Sequence, residues 1–213
     1  MNKYSDMDIR YTYVEDQTIG GNTAPWNAGA LAAFNEGYDK IYISNDDLIF
    51  NKSINNLIVN TNDDNTIYGP ICQPGGMLGN SPQISDKPIN NQIDITGEGE
   101  VGELPSKGFL LNGFLFGFTN KFYEKYKRDD GYVFNSDEEY IWNANECEFQ
   151  LRLWKKGVRS MLVGNCWIYH EKIRAWKYHF GQRVTKEDYD NLSEKKSLDY
   201  EQNWKEKMEN SHL

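Results

Sequence analysis

Apolar and polar positions alternate along residues 9–14, as they do in a half-buried strand. A Gly20–Gly21 loop follows. Thr23 suits a helix N-cap, with Pro25 in the first turn. Ala28, Leu31 and Ala32 then recur at helical spacing, and Gly37 suits a stop. Residues 40–44 read as a buried strand that runs straight into Asn45, Asp46 and Asp47. A short helix is predicted over 54–60 and a strand over 66–71. Residues 109–118 return to strand character, and Thr119 caps a short helix through Tyr126. Residues 145–156 carry a strong helical pattern, with Cys147, Leu151 and Trp154 on one face and Gly157 as its stop. Residues 160–169 read as a strand ending at His170. From Thr185 onward the chain is highly charged, and Thr185, Asp188, Ser193 and Glu194 mark starts of surface helices. No internal repeat is visible.

Strands that alternate with helices predict an α/β/α sandwich on a mainly parallel mixed sheet. In such folds ligands gather at the carboxyl ends of strands. The expected organisation is one domain over 1–182 and a charged helical appendage over 183–213. Within the first of these, residues 73–107 are polar and rich in Gly, Pro, Asn and Asp. With few large apolar residues to anchor it, this stretch reads either as a mobile binding loop or as a surface insertion.

Charge narrows the function. The 213 residues hold 23 Lys and Arg against 32 Asp and Glu, for a formal net charge of −9. No basic stripe is present, which argues against a nucleic-acid partner. Aromatic residues make up 14% of the chain; some must belong to the core, but flat aromatic faces also suit sugars. Cys72, Cys147 and Cys166 lack metal-type spacing and read as reduced thiols. The N-terminal residues have no apolar core of a signal peptide. The apolar-rich run 108–118 is too short to span a bilayer and contains Asn112. The expectation is a cytoplasmic protein without a transmembrane segment, at most peripheral at a membrane.

Candidate chemistry starts at the end of the 40–44 strand. A strand end is a rigid mount, and carboxylates held there converge on one point. Hard divalent cations take such oxygen ligands and often share them with substrate phosphates. Asn and Asp are equally common in the turns that end strands. His170 ends a second predicted strand, where a hydrogen-bonded structural role is the plainer expectation. Asn145 and Glu148 suit a capping box, and Arg152 lies one helical turn beyond Glu148, where the two can pair.

The ordered set Gly20-Gly21, Trp26-Asn27-Ala28-Gly29, Asn45-Asp46-Asp47, Asn145-Glu146-Cys147-Glu148, Leu151-Arg152, Gly157 and His170 resembles the GT-A-fold glycosyltransferases of family 2. The resemblance spans residues 8–176. It implies a metal-dependent, inverting transfer of a sugar from a nucleoside-diphosphate donor, UDP in the first place, to a hydroxyl of a glycan or glycoprotein. It assigns Asp47 and His170 to a Mn²⁺ or Mg²⁺ ion. Gly20, Gly21, Asn27, Asn45 and Asp46 would line the donor site. Glu146 would be the catalytic base and Glu148 the second acid of that motif. Arg174, in the basic segment after His170, would meet the diphosphate. The chain departs from the family at Asn45, where an acid is usual, at Trp26, where an Arg is common, and at Asn145-Glu146 in place of Glu-Asp. The family's usual nucleotide-binding strand–helix–strand has no counterpart before residue 8. These departures keep a second function open, a catalytically silent module that binds a sugar or a partner.

Overall fold

The computed structural model describes residues 23–45, 48–73, 82–83, 85, 88–101, 105–136 and 145–170. The expected 9–14 strand, Gly20, Gly21, Asp46, Asp47, Arg174, the boundary at 182 and the C-terminal helices lie outside the described residues.

Among the described residues four helices and six strands alternate. They are α1 (Thr23–Asn35), β1 (Lys40–Ser44), β2 (Leu48–Ile49), α2 (Ile54–Asn60), β3 (Thr66–Gln73), β4 (Gln92–Asp94), β5 (Leu115–Thr119), α3 (Asn120–Tyr126), α4 (Asn145–Trp154) and β6 (Arg159–His170). The sheet order is β1-β5-β3-β6-β2, with β4 also paired to β6.

The α/β class is as expected, but the sheet is not mainly parallel. Among the described strands only β3 and β6 pair in parallel. The pairings β1–β5, β3–β5, β2–β6 and β4–β6 are antiparallel. β4 and β5 both run opposite to β3 and β6, and β5 lies between β1 and β3, so each adds antiparallel neighbours to the sheet.

Two apolar layers sandwich the sheet. Phe116, Phe118, Ile67 and Leu162 face a cluster that takes in Phe34 of α1, Phe122 and Tyr123 of α3, and Phe149 and Leu153 of α4. Leu115, Tyr68, Val163 and Ile168 face the other, with Ile54 and Leu57 of α2. Strand β5 is buried on both faces, as its position inside the sheet demands. Gly117 is paired with both Tyr42 and Tyr68, and a Cβ there would lie 2.3 Å from Tyr42 Cδ1. The Tyr42 ring therefore occupies the space that any larger residue would need.

Local signals placed several ends as expected. Thr119 Oγ1 accepts the Phe122 amide at 3.0 Å and starts α3. Gly37 and Gly157 sit at φ +88° and +80°, the left-handed turn that follows a helix. Cys147, Leu151 and Trp154 share one packed face with Leu110. Three expectations need correction. Helix α1 buries Thr23, Asn27, Ala30 and Phe34, not Ala28, Leu31 and Ala32, because Phe34 is the large side chain that seeks the core. The 109–118 strand shortens to Leu115–Thr119, since the preceding amides bond to side chains instead of a neighbouring strand. The polar segment 73–107 is anchored where it is described. Strand β4 pairs with residues 161–163 of β6, Ile95 is buried, and Ile89 donates its amide to Gly164.

Candidate active site

Strands β1, β3 and β6 run in one direction, because β1 and β3 are both antiparallel to β5 and β6 is parallel to β3. Their carboxyl ends, and the amino end of β5, thus share one edge of the sheet. Asn45 and His170 stand at that edge.

A single dipeptide, Gly113–Phe114, joins the described candidates. The Asn45 amide donates to the Phe114 carbonyl at 2.8 Å. The Phe114 ring packs on the His170 imidazole with centroids 5.4 Å apart. The Glu146 carboxyl lies close against Gly113, where a Cβ would stand 3.3 Å from its Cδ and 3.4 Å from its Oε1. Residues from β1, β6 and α4 are gathered there although they are remote in sequence.

The loop that carries this dipeptide is fixed by side chains. Leu111 donates its amide to Gln150 Oε1 at 2.8 Å, and Gln150 Nε2 returns a bond to the Leu111 carbonyl at 2.8 Å. Asn112 donates its amide to Gln83 Oε1 at 2.8 Å. Two successive amides thus end on side-chain oxygens. Buried amides need partners, and here no strand supplies them.

Glu146 occupies the first turn of α4 and keeps partial exposure. Burial of its carboxyl raises its pKa above the ordinary 4.5, while bonds from its own amide and from Gly113 act in the opposite direction. A carboxyl with a raised pKa at an accessible position suits proton transfer. Asn145 supports the turn: its Oδ1 accepts the Glu146 amide at 2.9 Å and its Nδ2 reaches Thr23 Oγ1 at 3.3 Å.

Two candidates face elsewhere. Glu148 is 4% exposed and bonded to Arg152 Nε at 2.6 Å, and Arg152 Nη2 donates to the Val133 carbonyl at 2.7 Å. Two residues along a helix point to nearly opposite sides, so Glu148 does not meet Glu146. The capping-box expectation for Glu148 gives way to this ion pair. Asn27 is 2% exposed and clamps Phe134, donating to its carbonyl and accepting its amide, both at 3.1 Å.

Leu48, the residue after Asp47, is the cross-strand partner of His170. Among the described residues no three His, Cys, Asp or Glu side chains group to hold a metal. Burial pushes Cys147 and Cys166 up to about 12, so both thiols stay protonated at neutral pH.

Gly113 and Phe114 were not singled out in the sequence. The Asn112–Gly113 pair is a turn signal that breaks the 109–118 run and would have marked the loop. Gln150 and Gln83 carry no such signal. No described helix is long and apolar enough to cross a membrane. A scan of protein-family models finds no match to the chain, and a search of curated proteins finds none either.

Proposed function

We propose that the chain is a metal-dependent, inverting glycosyltransferase of GT-A type. It would move a sugar from a nucleoside-diphosphate donor, UDP in the first place, to a hydroxyl of a glycan or glycoprotein. The observation that carries this reading is the gathering of Asn45, Glu146 and His170 around Gly113–Phe114 at the shared carboxyl edge of β1, β3 and β6.

In this reading Glu146 takes the proton of the acceptor hydroxyl as its oxygen attacks the anomeric carbon. The bond to the diphosphate breaks on the opposite face, which inverts the centre. Asp47 and His170 would hold a divalent ion, whose charge offsets that of the departing diphosphate. Asn145 and Gly113 hold the base, and Asn27 and Glu148 hold the framework around residues 133–136.

The framework roles of Asn27 and Glu148 also favour the silent binding module. Calorimetry with UDP and Mn²⁺, followed by a donor screen for UDP release with and without Mn²⁺, separates the two. A transferase binds both together and releases UDP from one donor. Absence of binding and release across the screen overturns the enzyme reading.

A further inference from the structure

The proposed base rests on a residue without a side chain. A Cβ built on Gly113 would stand 3.3 Å from Glu146 Cδ, 3.4 Å from Glu146 Oε1 and 3.3 Å from Trp26 Cη2. Glycine lets the carboxyl drop onto the peptide amide, with the indole closing the other side. Neither wall retreats easily. Leu111 and Asn112 are tied to Gln150 and Gln83, and the Phe114 carbonyl is tied to Asn45. Trp26 is wedged edge-on against Phe116 and Phe134, at centroid distances of 5.6 Å and 5.3 Å. An added methyl group must therefore displace the Glu146 carboxyl or the indole.

We propose that Gly113 is a positioning residue for proton transfer at Glu146. Its amide holds one carboxylate oxygen, and its missing Cβ leaves the carboxyl room to lie against the backbone. The second oxygen is thereby aimed at the acceptor hydroxyl. The proton passes from that hydroxyl to the second oxygen as the new glycosidic bond forms and the bond to the diphosphate breaks. This rests on the glycosyltransferase reading for its chemistry, though not for its geometry.

The geometry is tested without activity. In ¹⁵N-labelled protein the Gly113 amide resonance should move with pH as the Glu146 carboxyl ionises, and Glu146→Gln should abolish that movement. A Gly113 amide that ignores pH, or that titrates unchanged in Glu146→Gln, overturns the proposal. The chemistry is tested on Gly113→Ala. A displacement of about 1 Å in a reacting group costs up to about 10²-fold in rate, so the few tenths of an ångström that a Cβ here demands cost about two- to fivefold. Gly113→Ala should lower kcat by that factor while leaving the calorimetric affinity for UDP and Mn²⁺ unchanged, since the change touches the base and not the donor. On a Glu146→Gln background it should have no further effect on the residual rate. An equal loss on both backgrounds marks a merely structural role and overturns the proposal. If no donor is turned over, the glycosyltransferase reading fails, and the resonance experiment alone decides whether Gly113 holds the carboxylate.

Discussion

Leu48 and His170 are cross-strand partners at the carboxyl end of β6. Directly opposed residues on antiparallel strands have Cα atoms about 4.5 to 5.5 Å apart. Asp47 is one peptide bond from Leu48, a further step of about 3.8 Å. Two residues far apart in sequence become neighbours through one two-residue strand.

The first prediction follows from that pairing. Asp47→Asn and His170→Ala should each weaken Mn²⁺-dependent UDP binding by calorimetry. The double variant should lose little more than the worse single variant, because one shared ion couples them. Fully additive losses would mean that the two side chains serve different sites.

The second concerns Glu146 and rate. Glu146→Gln preserves shape and removes proton-accepting ability. It should keep UDP binding and lose about 10² to 10⁴ in transfer rate. A near wild-type rate, measured by UDP release with acceptor present, would assign the base elsewhere.

The third concerns Glu146 and stability. Burial raises its pKa above 4.5, so the folded chain binds this proton more tightly than the unfolded chain does. That contribution to stability is complete below the unfolded value and is lost as pH rises through the folded value. Thermal unfolding across pH should show Glu146→Gln gaining Tm over the wild type as pH rises, with the two closest in acid. A constant offset at all pH values would refute the linkage.

The fourth concerns Glu148. It is buried and paired with Arg152, which also holds the Val133 carbonyl. Removing one member of a buried pair leaves an uncompensated charge and costs about 3 to 5 kcal/mol. Glu148→Ala should therefore show a large loss in denaturant midpoint, whereas Glu146→Gln should not. Equal stability of the two variants would place the structural carboxylate wrongly.

The fifth concerns Asn27. Asn27→Ala leaves the Phe134 amide and carbonyl without their side-chain partner, at a cost on the order of 2 kcal/mol. Where the variant is folded, its UDP affinity should match the wild type. A selective loss of UDP affinity without a loss of stability would return Asn27 to the donor site.

Several elements were legible because their signals are local. The bounds of α2 and β1 matched the expected 54–60 and 40–44, and Thr119 and Gly157 marked ends through caps that involve only near neighbours. The face of α1 was misread because alanines surround the helix, and only the packing of Phe34 selects a side. The strand over 109–118 was overextended because its apolar residues are buried in a loop, which periodicity does not distinguish from a strand.

The chain by itself determined where most strands and helices lie, and that Asn45, Glu146 and His170 stand at element ends. Periodicity and capping act within a few residues, so they can be read along a line. Only the tertiary structure decided that β5 runs back between β1 and β3, which makes the sheet mostly antiparallel. It alone separated Glu146, held on Gly113, from Glu148, held on Arg152. It alone made Gly113–Phe114 the meeting point, through bonds from Gln150, Gln83 and Asn45. Such bonds satisfy buried amides across long sequence separations, and their partners are chosen by which elements pack together.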